Sequence, residues 1–277
     1  MKDWIKRRLP LLILLWIRRT RFYCADQWEI LSGRRDPLVP PQRLLRIGDG
    51  DFGERGREFL AYHVELARAS PRARILDVGC GVGRMALPLA RYLDAEGSYE
   101  GFDIMKEGIE WCQRFITPRH PNFRFRHADV FNPVYNPSGP TAAAAYRFPY
   151  PDASFDYVFL TSVFTHMLPE DLEHYLSEIA RVLRPGGTSL ITYFLLNPES
   201  RVLMPAGKDF KYEGQGFWTT HPERPEEATA YDEAFVRALY PRVGLEIVEP
   251  VRYGSWCART EFKSYQDIVI ATRRSVP

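Results

Sequence analysis

Asp77 stands just ahead of Gly79, Gly81 and Gly83, which take alternate positions in the stretch Ile75–Arg84 (ILDVGCGVGR). Glycines at this spacing permit positive φ and let a ligand approach the main chain closely. A glycine-rich turn alone also suits dinucleotides, although Gly-x-Gly-x-Gly lacks their six-residue fingerprint. The acid is the sharper signal. A carboxylate here repels a pyrophosphate but can pair with an ammonium, so the ligand suggested is cationic and carries no phosphate. Asp103 follows a little over twenty residues after Gly79, where an acid can hold both ribose hydroxyls. Asp129 closes a third such segment, where its side chain can accept from an exocyclic adenine amine. Three acids at three successive strand ends thus fit one nucleoside–amino-acid ligand.

The elements that must position these acids follow from hydrophobic periodicity. Helical spacing over 55–69 precedes an expected strand over 73–78, then the glycine loop and a helix over 84–93. Expected strands at 98–102, 123–127, 155–160 and 188–195 alternate with helices at 105–115 and 169–183, the last stopped by Pro185-Gly186-Gly187. A helix over 231–240 and strands over 245–253 and 265–272 close the chain. Such alternation predicts an α/β fold with a mostly parallel, doubly wound sheet. Two stretches exceed the minimal pattern, Asn132–Tyr150 and Asn197–Ala228, both rich in proline. Each follows the carboxyl end of a strand, and loops of this length are more often functional than accidental.

The chain resembles the class I S-adenosylmethionine-dependent methyltransferases from about Arg57 to its end. The resemblance rests on ILDVGCGVGR, the GFDI ending at Ile104, HADV at 127–130, FPYPDASFDYVFLTSVFTH at 148–166 and EIARVLRPGG at 178–187. It implies a Rossmann-like seven-stranded sheet of order 3-2-1-4-5-7-6, the last strand antiparallel. It also implies S-adenosyl-L-methionine as cofactor, with Gly79 and Gly81 at the methionine moiety, Asp103 at the ribose, and Asp129 with Val130 at the adenine. Thr161 is implied near the sulfonium. The full expected cofactor set is Asp77, Gly79, Cys80, Gly81, Gly83, Asp103, Ile104, Asp129, Val130 and Thr161.

Methyl transfer from a sulfonium is an in-line displacement, so alignment of two reactants supplies much of the rate, roughly 7–11 kcal/mol. A base is needed only where the nucleophile must lose a proton. His166, just past the fourth strand, is the catalytic candidate, with a structural histidine as the competing reading. Tyr193, His221 and Trp256 are candidates for the acceptor pocket. Tyr135, Tyr146, Phe148 and Tyr150 form either a lid or a packed insertion. His120, His127 and His174 are scattered among few acids, so no metal site is expected. The acceptor expected is a small molecule, most plausibly a sugar, lipid or secondary metabolite methylated on a hydroxyl or carboxyl oxygen. Protein or nucleic-acid methylation, and a cofactor-binding accessory protein without turnover, stand as alternatives. No Asn/Asp-Pro-Pro-Tyr/Phe motif for amino-group methylation follows the fourth strand.

The 277 residues carry a net charge of +2, but residues 1–35 hold nine basic and three acidic side chains, which leaves the remainder at −4. The body therefore has no general attraction to nucleic acid. Residues 1–56 read as an arm and loop ahead of a domain over 57–277. Within the arm, the apolar run Leu9–Ile17 would span roughly 14 Å as a helix, about half a bilayer core. Arginines occupy the place a signal-peptide cleavage site would need. Two expectations remain: peripheral contact of residues 1–21 with the cytoplasmic face of a membrane, or packing on the domain as a helix or lid. Cysteines at 24, 80, 112 and 257 show no close pair or metal spacing, which fits free thiols in a reducing, cytoplasmic compartment.

Overall fold

The computed structural model describes Trp28 and residues 38–45, 51–205 and 210–275; the expected apolar arm, residues 1–21, lies outside them. Asp51 caps the first helix, α1 (Phe52–Glu65), by accepting from the Glu54 N–H at 2.8 Å, which satisfies one of the free donors of the first turn. The helix thus crosses the expected boundary at residue 56. Five parallel strands follow: β1 (Arg74–Val78), β2 (Ser98–Asp103), β3 (Phe123–His127), β4 (Phe155–Leu160) and β5 (Leu183–Tyr193). Helices α2 (Ala86–Tyr92), α3 (Lys106–Phe115) and α4 (Pro169–Val182) connect them. Pro169 at the first position and Glu170 and Asp171 in the first turn suit the start of α4.

The main sheet runs β3-β2-β1-β4-β5-β11-β10, where β10 is Leu245–Ile247 and β11 is Asp267–Arg273. Counted within the sheet this is the expected order 3-2-1-4-5-7-6, and the last strand is antiparallel to both neighbours. Two-residue alternation divides its side chains between two cores. Ile75, Tyr99, Tyr157 and Phe159 pack beneath α1, α2 and α3, whereas Leu76, Val78, Val158 and Leu160 pack beneath α4 and α6 (Glu233–Arg242). Full burial of each such side chain contributes about 1.5–3 kcal/mol.

The second insertion departs from expectation. A four-stranded sheet, β6-β9-β8-β7, joins β6 (Leu195–Leu196), β7 (Tyr212–Glu213), β8 (Trp218–Thr219) and β9 (Thr229–Asp232). Residues 231–232, expected to open a helix, lie in β9 instead, because Thr229, Ala230 and Tyr231 are all buried and pair with β6 and β8. The expected strand over 245–253 is likewise short, ending at Ile247, with only an isolated bridge at Arg252. Between β6 and β7 lies α5 (Pro198–Leu203), whose Asn197 and Ser200 form a reciprocal cap.

The first insertion is folded onto the sheet by a clasp on α4. Glu178 accepts from the Phe148 N–H at 2.7 Å, and Arg181 donates to the carbonyls of Phe148 and Tyr150 at 3.0 and 2.9 Å. Phe148 meets Phe102 and Tyr175 edge-on at 4.9 and 5.0 Å. Tyr146, Phe148 and Tyr150 therefore pack on the sheet; of the aromatic run, only Tyr135 lines the cavity described below.

Candidate functional site

At the carboxyl ends of β1 and β4 the chain must turn sharply, and three left-handed residues allow it. Gly79 has φ +84° and Gly81 φ +54°, values that glycine adopts without strain. A Cβ on Gly79 would lie 2.2 Å from Cγ2 of Val163, so the loop fits against the β4 turn only without a side chain. Ser162 has φ 57° with a side chain present, a strained conformation. It is held by two bonds: its N–H donates to Thr192 Oγ1 at 2.8 Å and its hydroxyl bonds Gln266 Oε1 at 2.9 Å.

These turns open onto a cavity of about 400 Å³. Asp77, Gly79, Cys80, Gly81, Asp103, Ile104, Val130, Thr161 and His166 all line it, as the sequence reading brings together. Asp103 accepts from the Gly81 and Met105 N–H groups, both at 2.7 Å. One bond to each carboxylate oxygen leaves further lone pairs for ribose hydroxyls. Asp77 is buried and accepts from the Tyr99 hydroxyl at 2.5 Å. Burial pushes its carboxyl up to about 8, the Tyr99 bond opposes that rise, and the charge of Asp103 adds to it. Thr161 Oγ1 is buried with no partner, and it stands where a ligand atom can complete it.

His166 sits in a 3-10 turn (Phe164–His166) that continues from the strained Ser162. Its Nδ1 lies 2.9 Å from the carbonyl of Glu226, and its Nε2 lies 3.4 Å from the Tyr135 hydroxyl. A carbonyl only accepts, so Nδ1 carries the proton and Nε2 presents a lone pair. Burial holds the ring below the usual histidine range, opposed by bonds to main-chain groups of Glu226 and Glu227. The imidazole is therefore neutral near pH 7. The Asn132 amide donates to the His166 carbonyl at 3.2 Å, while its Oδ1 accepts from the Val134 and Tyr135 N–H groups at 3.0 Å each. The first insertion supplies Asn132 and Tyr135; the second supplies Glu226.

Other expected site residues stand elsewhere. Tyr193 is fully buried, 2.9 Å from the Tyr240 hydroxyl, and does not line the cavity. Trp256 is buried with Phe194 and Phe210 and donates to Asp267 at 2.7 Å. His221 is exposed, 3.7 Å from Glu227. None of these three walls the pocket. Gly83 packs against α3, where a Cβ would approach Ile116 to 2.7 Å. Asp129 is exposed and accepts from the Asn136 amide at 3.0 Å. Unforeseen lining residues include Leu44, Arg84, Asp171, Tyr175 and Glu226. Of these, Arg84 directly follows the glycine loop, a position the sequence already displayed. Among the described residues no cluster suits a metal ion, and Cys80, Cys112 and Cys257 are free and buried. No described helix is long and apolar enough to cross a membrane.

Residues 76–191 match a family model described as a methyltransferase domain. The chain is 37% identical over 181 residues to phthiotriol/phenolphthiotriol dimycocerosates methyltransferase 1 of Mycobacterium ulcerans, covering 62% of this chain and 56% of the relative. It is 36% identical over 134 residues to the fatty-acid O-methyltransferase of Mycolicibacterium smegmatis, covering 47% and 41%. The chain thus spans about half the length of the curated relatives it matches. Among solved structures, the fold is similar to Burkholderia thailandensis 1,6-didemethyltoxoflavin-N1-methyltransferase with bound 1,6-didemethyltoxoflavin and S-adenosylhomocysteine. That match has a TM-score of 0.52 at 17% identity, over 82% of this chain and 80% of that one.

Proposed function

We propose, for a chain that belongs to the class I S-adenosylmethionine-dependent methyltransferase superfamily, methyl transfer to an oxygen of a small molecule such as a sugar, lipid or secondary metabolite. One observation carries the reading: a single cavity joins the acids of the glycine loop to the lone pair of His166. Asp103 holds the ribose, Asp77 faces the aminoacyl ammonium, Val130 and Ile104 flank the adenine, and Thr161 lies toward the sulfur. When bound, the cofactor supplies an electrophilic methyl carbon. His166 takes a proton from the acceptor, and the strained β4 turn fixes where its ring stands.

Thermal unfolding with S-adenosylmethionine or S-adenosylhomocysteine tests the first half. At a hundred times its dissociation constant, either ligand is expected to add about 2.7 kcal/mol of stability. No stabilisation by either sinks the reading. Labelled methyl transfer into fractions of lipids, sugars, proteins and RNA tests the second half. Label in protein or RNA alone supports those acceptors instead, and binding without any transfer supports an accessory role.

Replacing Gly79 by alanine forces a side chain into Val163 and strains a positive φ, at a cost of about 1–3 kcal/mol. Calorimetry is expected to show S-adenosylhomocysteine affinity at least roughly tenfold weaker, which corresponds to 1.4 kcal/mol. Circular dichroism controls for folding, and unchanged affinity in a folded variant removes the loop from the cofactor site.

Affinity also depends on pH through Asp77. Its raised pKa keeps the unliganded carboxyl protonated below about 8, whereas an ammonium partner favours the ionised form. Binding then expels a proton, and affinity falls by up to about tenfold per pH unit as pH drops below 8. Above that, the ligand's own ammonium begins to deprotonate, so affinity peaks near pH 8. Linkage has the opposite sign for the unliganded protein: this group's contribution to stability declines as pH rises from about 4 toward 8. Calorimetry in buffers of different ionisation enthalpy reads the proton directly. A heat independent of buffer rules out Asp77 as the ammonium partner.

Residues 1–21 are read separately as a peripheral membrane contact through their apolar run and basic flanks. Their deletion is expected to abolish binding to anionic vesicles and spare cofactor affinity. Unchanged vesicle binding discards the contact, and lost cofactor affinity favours a lid.

A further inference from the structure

We propose that the acceptor atom is the oxygen of a neutral hydroxyl on a largely apolar molecule, and that carboxylates and phosphates are excluded from this site. The inference rests on the methyl-transfer reading above and narrows it.

The first ground is the state of His166. Its Nδ1 proton is committed to the Glu226 carbonyl, so the ring itself offers no donor, only a lone pair that faces the Tyr135 hydroxyl at 3.4 Å, a long contact that an acceptor hydroxyl can replace. A hydroxyl donates to that nitrogen. A carboxylate meets it lone pair to lone pair, and it needs no base because its oxygen already holds the attacking electrons.

The second ground is charge. Arg84 is the one Lys or Arg among the described residues lining the cavity. It directly follows the glycine loop, its guanidinium carbon 5.6 Å from the centre of the Phe52 ring. Elsewhere on the wall stand two further acids, Asp171 and Glu226, the latter at the residue whose carbonyl holds His166. An anionic acceptor gains no counter-ion beside His166 and meets like charge. Phe131, Pro133 and Leu168 complete a mostly apolar wall, which suits a hydrocarbon frame around the hydroxyl.

The step balances without another reactant. The hydroxyl oxygen forms a bond to the methyl carbon, the methyl–sulfur pair returns to sulfur, and the hydroxyl proton passes to Nε2. The resulting imidazolium then releases that proton to water.

The test uses 1-octanol and octanoate, which share a chain and differ in charge near neutral pH. Each is titrated into the full chain saturated with S-adenosylhomocysteine. Octanol is expected to bind at least roughly tenfold tighter, and a D171N/E226Q double variant is expected to narrow that gap. Octanoate binding as tightly as octanol, or no octanol binding, overturns the inference. Failure of the wild type to take S-adenosylhomocysteine instead breaks the underlying reading. As a second measurement, label transferred into a lipid extract is treated with alkali. Methyl ethers survive and support the hydroxyl, whereas release of labelled methanol from methyl esters overturns it.

Discussion

Exchanging His166 for glutamine is expected to lower kcat by roughly 10²–10⁴-fold while leaving S-adenosylhomocysteine affinity nearly unchanged. Glutamine retains an amide N–H that can serve the Glu226 carbonyl, now 2.9 Å from Nδ1, but it has no basic nitrogen. The pH profile separates loss of a base from loss of shape. Burial holds His166 below the ordinary histidine range, so wild-type kcat falls on the acid side of about pH 6.5 as the ring gains its second proton. The glutamine variant is expected to lack that limb. A variant that keeps the limb, or loses less than about threefold in kcat, places the base elsewhere and leaves His166 as a packing residue.

The second large effect concerns stability. Asp267 is fully buried and accepts from the Leu195 and Gly254 N–H groups and the Trp256 indole, each at 2.7 Å, and from Arg259 at 3.3 Å. Arg259 is itself nearly buried and also reaches Glu199 at 2.9 Å. Asp267→Ala therefore strands three N–H donors and takes one acceptor from a buried guanidinium that keeps Glu199, Asn197 and the Gly254 carbonyl. Removing one partner of a buried pair typically costs 3–5 kcal/mol, and urea denaturation is expected to show a loss of about that size. A loss below about 1 kcal/mol means that water or another acceptor replaces the carboxylate. Because Asp267 ties β6 and the Gly254 loop to β11, partial unfolding of the small sheet is the expected route of failure.

The glycine loop and Asp103 were legible because their chemistry is local: a strand end, a turn and an acid at set spacing. The sheet order followed from the family resemblance, and alternation of strands with helices already pointed to a parallel sheet. The acceptor side was less legible, for two reasons. Strand-end position does not say which face a side chain takes, and Tyr193 turned toward Tyr240 while Trp256 turned toward Asp267. Contacts made by main chain also leave no mark on residue type. Nothing about the side chain at 226 announces that its carbonyl holds a histidine sixty residues away. His221, chosen for its chemistry within the same insertion, faces solvent. The small sheet escaped notice because its strands are two to four residues long, too short for alternation to register.

The bond from His166 to a peptide carbonyl has an evolutionary consequence. The side chain at position 226 can change without altering the histidine tautomer, because every amino acid brings the same carbonyl. Heritable variation there can retune which molecules are accepted while the proton chemistry is inherited intact. Saturation mutagenesis at 226 is accordingly a route to new acceptors, with the histidine left alone.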